Sequence, residues 1–316
     1  MEENLNFDMP GSPVQLIHTF SPSNISLYIK REDLLHSFIS GNKFRKLKYN
    51  LHEAGNRGHH TLLTFGGAFS NHIAAVAAAG KLQGFHTLGV IRGKELEEVF
   101  YNGSLNNPTL DYASGQGMKF KFISREAYRL KNTEQFREDL KREFGSFYML
   151  PEGGTNALAI KGCEEILTGE DEQFDIICCA VGTGGTITGL INSAFSTQTV
   201  LGFPALKGDF LTKEISNFSS RRNWRLINDY HFGGYGKVSR ELIDFINDFY
   251  EKYHIPLDPV YTGKMFFGIF DLIERSAFPQ NSRILAIHTG GLQGVEGMNL
   301  KLAAKNLPLI NVLYEK

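Results

Sequence analysis

The chain has 316 residues, a formal net charge of -1 and 42% hydrophobic content, so it can build one large or two medium domains around a real core. The near-neutral balance and the lack of a long basic tract exclude a nucleic-acid or polyanion binder. No apolar run reaches membrane-spanning length, and the acidic Met1–Pro10 segment lacks the apolar core of a signal peptide.

Strand-like and helix-like runs alternate along the chain, the pattern of an α/β protein with parallel sheet. A strand over 26–29 precedes a helix over 43–57. A strand over 61–65 precedes an alanine-rich helix over 71–82, and a strand over 86–90 follows. Residues 100–116 are rich in Asn and Gly and read as a mobile loop. Next come a strand over 119–122, a helix over 135–144 and the turn Pro151-Glu152-Gly153-Gly154, which marks a return from one lobe to another. A helix over 160–167, a strand over 176–180, helices over 186–195, 240–253 and 264–276, and a strand over 284–288 complete the series. Cys178 and Cys179 are adjacent in an apolar run and Cys163 stands alone. An odd number with no Cys-x-x-Cys pair fits reduced, buried thiols in a cytosolic protein.

The chemistry concentrates at a few turns. Ser40-Gly41-Asn42-Lys43-Phe44-Arg45-Lys46 sets Lys43 and Lys46 three residues apart at a helix start, on one face. The commoner reading of such a run is a solvated basic face. The other is that one lysine forms a Schiff base while the second holds an anion, as a ligand carrying both an aldehyde and a phosphate requires; pyridoxal 5'-phosphate (PLP) is one. Gly66-Gly67-Ala68-Phe69-Ser70-Asn71-His72 follows a strand and opens a helix. Its glycines permit close backbone approach, and Ser70 or Asn71 can cap the helix while amides bind a carboxylate, or simply cap it. Gly182-Thr183-Gly184-Gly185-Thr186 follows another strand and is a phosphate cradle by physics. It lacks a P-loop ending, and Ile187 stands where a dinucleotide fingerprint has its third glycine, so a phosphate monoester suits it better than a nucleotide. His288-Thr289-Gly290-Gly291 is a third strand-end turn, and Tyr235 and Tyr261 each lie beside glycine-containing turns. In α/β sheets ligands gather at such strand ends.

Taken together, Lys30-Arg31-Glu32-Asp33-Leu34, Gly41-Asn42-Lys43-x-Arg45-Lys46, Gly66-Gly67-x-x-Ser70-Asn71-His72, Pro151-Glu152-Gly153-Gly154-x-Asn156-Ala157, the Gly182–Thr186 loop, Asp258-Pro259-Val260-Tyr261-x-Gly263-Lys264 and His288-Thr289-Gly290-Gly291 resemble the 1-aminocyclopropane-1-carboxylate (ACC) deaminase/D-cysteine desulfhydrase family of PLP enzymes. The motifs occur in family order over nearly the whole chain. The resemblance implies the tryptophan synthase β-like architecture, fold type II. A large lobe (1–47 and 153–316) would bind PLP in the cleft it forms with a small lobe (48–152). It implies Lys43 as the Schiff-base lysine, with Lys46 and the amides of Gly182, Thr183, Gly184, Gly185 and Thr186 at the phosphate. Asn71 would meet the ring hydroxyl, Thr289 the ring nitrogen, and Ser70 with the helix start after it the substrate carboxylate. Tyr261 and Tyr235 would stand near the ring and the substrate. A small amino-acid substrate, a cytoplasmic homodimer and no metal are also implied.

Within that family the substrate is read from four positions. Thr262 and Thr289 stand where ACC deaminases carry Glu and Leu, and His72 where they carry Gln; at all three the chain resembles the D-cysteine desulfhydrases. Thr262 and His72 are therefore expected at the substrate, although His72 reads equally as a packed or capping histidine. Phe69 replaces a Gln common to both branches and is expected to narrow the pocket or to alter specificity. The expected reaction is conversion of D-cysteine to pyruvate, ammonia and sulfide, with ACC deamination as the alternative.

Overall fold

The computed structural model describes residue 7 and residues 11–311, so all of Met1–Pro10 except Phe7 lies outside the described residues. The strands are β1 (Val14–Phe20), β2 (Ile25–Lys30), β3 (Thr61–Gly67), β4 (His86–Arg92), β5 (Lys119–Ile123), β6 (Tyr148–Leu150), β7 (Ile176–Val181), β8 (Thr199–Pro204), β9 (Trp224–Leu226) and β10 (Arg283–Ile287). They form a six-stranded sheet, β1-β2-β10-β7-β8-β9, and a four-stranded sheet, β5-β4-β3-β6. Every pairing is parallel except β1 with β2. Central β7 reads Ile-Ile-Cys-Cys-Ala-Val with all six residues buried, as a parallel strand covered on both faces must be. The three cysteines are free and buried.

Two sequence expectations change. Residues 100–116 are not a single loop: Pro108–Gly115 is a helix whose Leu110 and Ala113 are fully buried. Its loop-like residues are start signals, Asn107 accepting from the Leu110 amide at 3.1 Å with Pro at the first position. The helix expected over 160–167 runs over Ala157–Glu164 instead, because the Asn156 side chain caps it by accepting from the Ala159 amide at 2.8 Å.

The four-stranded sheet is drawn from residues 61–150 and the six-stranded sheet from 14–30 and 176–287. The Asn42–Asn56 helix crosses the boundary expected at 47/48 and joins the lobes. On one side it meets the large lobe at Gly162, where a Cβ would stand 2.0 Å from the Arg45 carbonyl oxygen. Behind its first turn lies a buried ion pair, Arg45 Nε and Nη2 donating to the two carboxylate oxygens of Glu32 at 2.8 Å each. Ser12 Oγ also donates to Glu32, and the Glu32 carbonyl takes the Gly41 amide at 3.1 Å. Next to it Arg31 pairs with Asp33 at 2.8 Å. The Lys30-Arg31-Glu32-Asp33 motif is therefore a scaffold that fixes where the lysine-bearing helix begins.

Removing one member of a buried pair leaves an uncompensated charge. Arg45→Met is expected to cost about 3–5 kcal/mol, read as a lowered urea midpoint. Glu32→Leu added to Arg45→Met should recover much of that loss.

Candidate active site

A cleft of about 650 Å³ opens at the carboxyl ends of β3, β7 and β10. It brings together Lys43, Lys46, Ser70, Asn71, His72, Gly182, Thr183, Gly184, Thr186, Tyr235, Tyr261 and Thr289, which lie up to 246 positions apart in sequence between Lys43 and Thr289.

Lys43 owes its place to Gly41. That residue sits at φ +61°, and a Cβ there would stand 2.0 Å from the Thr289 carbonyl oxygen. The same carbonyl accepts from the Asn42 amide at 3.3 Å, so the helix start is laid directly against the end of β10. Lys43 Nζ donates to Asn42 Oδ1 at 2.8 Å, and Asn42 Nδ2 donates to Thr186 Oγ1 at 2.8 Å, linking the lysine to the glycine loop. Burial, reinforced by the charge of Lys46, pushes the Lys43 amine down to about 7. It is a nucleophile and base at neutral pH.

Lys46 Nζ donates to the Gly153 carbonyl at 2.9 Å and to Thr155 Oγ1 at 3.3 Å, which leaves one of three donors for an anion. Gly185 lies beside it: a Cβ there would be 3.3 Å from Lys46 Nζ and 2.7 Å from Thr155 Oγ1. Gly184 takes the left-handed conformation, φ +87°, and the Gly185–Ser193 helix starts with no side-chain cap. Its first amides point their positive end at the cleft.

The expected cap at the other helix is absent in one respect. Ser70 holds the N-cap position of the Asn71–Leu82 helix, yet neither it nor Asn71 makes a side-chain cap bond. The Ser70 hydroxyl and that helix start are thus left to a ligand. Asn71 Nδ2 donates to the Gly291 carbonyl at 3.2 Å, while its buried Oδ1 has no partner. His72 is buried with its ring against Gly154, and burial together with the charges of Lys43 and Lys46 holds it well below the ordinary histidine range. It is a neutral imidazole.

On the opposite wall the Tyr261 and Tyr235 rings meet edge to face at 6.2 Å. Burial, with Tyr235 and Asp258 adding to it, drives the Tyr261 phenol well above its ordinary value. Asp258 is a functional residue that sequence reading passed over. Its Oδ1 accepts from the amides of Val260 and Tyr261 and its Oδ2 from the amide and hydroxyl of Thr262, all at 2.8 Å. An aspartate four residues before a helix start is the signal that could have marked it.

One expected substrate contact, Thr262, lies elsewhere, and Phe69 stands beside the cleft rather than in its main lining. Thr262 is fully buried, outside the cleft lining, with its hydroxyl spent on Asp258. Phe69 lies outside the main lining and borders an adjoining hollow that shares Asn71, Tyr235 and Tyr261 with it. Its ring fills the notch at Gly297, where a Cβ would be 2.6 Å away, beneath Lys301 Nζ at 4.3 Å from the ring centre.

The residues fit PLP. An unpaired buried acceptor such as Asn71 Oδ1 is costly, and a hydroxyl donor from the cofactor ring would satisfy it. The Cβ-intolerant glycines and the spare Lys46 donor suit a phosphate, and Lys43 suits an aldehyde. Two parallel-sheet lobes enclosing this set define the class, a PLP enzyme of fold type II. Residues 8–290 match the family described as pyridoxal-phosphate dependent enzyme. A Pyrococcus horikoshii protein provisionally named ACC deaminase is 32% identical over 302 residues, 90% of each chain. The Arabidopsis thaliana mitochondrial bifunctional D-cysteine desulfhydrase/ACC deaminase is 30% identical over 299 residues, covering 87% of this chain and 74% of that one. A crystal structure of an ACC deaminase homologue superposes with a TM-score of 0.78 at 30% identity over 95% of both chains. The chain belongs to the ACC deaminase/D-cysteine desulfhydrase family of PLP-dependent enzymes.

Because the Lys43 amine titrates near 7, capture of added PLP by the apoenzyme should quicken with pH through about 7 and level off above it. An ordinary lysine would still be gaining at pH about 9–10. Stopped-flow absorbance across that range distinguishes the two, and Lys43→Ala should bind PLP without the visible band of the lysine-bound cofactor.

Proposed function

We propose that the enzyme eliminates sulfide from D-cysteine, giving pyruvate and ammonia after hydrolysis of the released product. The observation that carries this reading is that Lys43 and Tyr261 line one cleft, where burial pushes the Lys43 amine down to about 7 and the Tyr261 phenol well above its ordinary value. Burial favours the neutral form of each, which makes the amine a base at neutral pH and keeps the phenol a hydrogen-bond donor. Lys43 is then the base for the α-proton of an amino acid. Tyr261 stays a neutral phenol, able to hydrogen-bond the departing sulfur and poorly suited to attack a cyclopropane carbon as a nucleophile. ACC has no α-proton for Lys43 to take.

The other residues bind and orient. Bound PLP supplies an electron sink for charge developing at the substrate α-carbon. Lys46, with the amides from Gly182 to Thr186, would hold its phosphate, Asn71 its ring hydroxyl and Thr289 its ring nitrogen. Ser70 and the uncapped start of the Asn71–Leu82 helix would receive the substrate carboxylate, with neutral His72 beside them. Tyr235, 48% exposed at the cleft mouth, would close over the bound amino acid and shed water from it. The names of the relatives support ACC deamination as the second reading, since the Arabidopsis protein carries both activities in its name. Family resemblance supports a homodimer, and the buried free thiols support a reducing compartment such as the cytoplasm.

Incubation of the PLP-loaded enzyme with each substrate tests the choice. D-Cysteine should yield equimolar sulfide and pyruvate, and ACC little or no 2-oxobutyrate. Formation of 2-oxobutyrate alone would overturn the assignment. Tyr261→Phe should retain PLP absorbance while lowering kcat by about 10²-fold, the usual size of one lost transition-state hydrogen-bond donor.

A further inference from the structure

Lys264 ends the Asp258-to-Lys264 motif, yet it does not line the cleft. It is only 2% exposed, and its Nζ donates to the carbonyls of His231 and Gly234 at 2.9 Å each. A buried ammonium is costly without such partners. Both carbonyls already serve the turn itself, His231 accepting from the Gly234 amide at 2.9 Å and Gly234 from the Lys237 amide at 3.2 Å. The ammonium therefore takes the second acceptor site of two convergent oxygens, as a bound monovalent cation would. The turn it holds is unfavourable alone: Phe232 sits at φ +51°, with Gly233, Gly234 and Gly236 also at positive φ. A bulky residue in that region persists only where its surroundings dictate it.

The main ones belong to the Thr262–Glu274 helix, with Phe203 of β8 also against the Tyr230 ring at 6.2 Å. Phe232 packs edge-on against Phe267 with ring centres 5.0 Å apart. Tyr230 lies on Gly268, where a Cβ would be 2.7 Å away, and its hydroxyl donates to Asp271 at 2.5 Å. Lys264, Phe267, Gly268 and Asp271 are positions i, i+3, i+4 and i+7, one stripe of one helix. The same helix begins immediately after Tyr261. One rigid element thus carries one tyrosine at its start and docks the turn bearing the other along its side.

We infer that Lys264 is a positioning residue: through the His231 and Gly234 carbonyls it fixes the turn that presents Tyr235 to Tyr261, so that the two tyrosines act on substrate as one unit. This rests on the reading of both tyrosines as substrate-facing. Lys264 itself touches neither substrate nor cofactor.

The test is a double-mutant cycle on the PLP-loaded enzyme using Lys264→Met, Tyr235→Phe and the pair, together with amide hydrogen exchange. Lys264→Met should lower kcat/KM about tenfold at unchanged PLP content, and this loss should shrink to under about twofold in the Tyr235→Phe background. The Gly234 and Lys237 amides should exchange at least about tenfold faster in Lys264→Met, with those of β10 unchanged. Lys264→Gln, which keeps amide donors, should recover part of both effects, and it supplies the same cycle if the methionine variant does not fold. Equal losses in both backgrounds, or unchanged exchange at Gly234 and Lys237, overturn the role of Lys264. A silent Tyr235→Phe instead overturns the substrate-facing role of Tyr235, whatever the exchange rates show.

Discussion

The contact on which the site depends is the seating of the Gly41 backbone against the Thr289 carbonyl. It joins the start of the lysine-bearing helix to the end of β10, with no room for a Cβ between them. A side chain at residue 41 would have to lift the helix start, and Lys43 with it, away from the strand ends. The scaffold behind this contact is ionic: Glu32 holds Arg45 through its carboxylate and Gly41 through its carbonyl. Buried ion pairs are a weak source of stability, since desolvation offsets most of their attraction. Their value here is geometric, because one residue simultaneously fixes the turn before Lys43 and the helix after it.

Electrostatics follow from that placement. Lys46 is buried and Lys43, three residues away, is half-buried, and among the described residues no carboxylate lines the cleft. Asp258, whose charge partly opposes the lowering at Lys43, is buried with both oxygens occupied by the start of the Tyr261 helix. The cleft is consequently short of negative charge and surrounded by helix starts. Anions complete it, and a cofactor phosphate plus a substrate carboxylate are two such anions. Burial is the larger cause of the Lys43 depression, and the neighbouring Lys46 charge, which also calls for an anion, adds to it.

Much of this was legible in the sequence because it depends on residues with few substitutes. Glycines at positions 41, 66, 182 and 184, and lysines at helical spacing, announce close approach and charge without knowledge of the fold. Strand cores such as 176–180 and helices such as 71–82 and 240–253 were readable from apolar pattern alone. Edge strand β1 was not, since its residues are mostly exposed on both faces and give no alternation. The Pro108–Gly115 helix was hidden because cap residues and loop residues have the same identities. Thr262 and Phe69 show a different limit. Comparison with the family's branches pointed Thr262 to the substrate and Phe69 to the pocket, whereas a helix start turns the neighbour of Tyr261 inward, and the notch at Gly297 draws the Phe69 ring toward the other lobe.

The case of Thr262 also alters how substrate choice has to be argued. The hydroxyl at that position does not meet the substrate, since it donates to Asp258. Its effect is exerted one residue away, through the cap that sets the Tyr261 backbone. A glutamate at the same place would bring a second carboxylate against Asp258, and two such groups in one buried site cannot both stay ionised without a cation. The threonine hydroxyl donates to Asp258 and adds no charge to the cap. The Tyr261 turn is thereby set as a whole, with Asp258, Thr262 and the Lys264-held loop forming one connected unit.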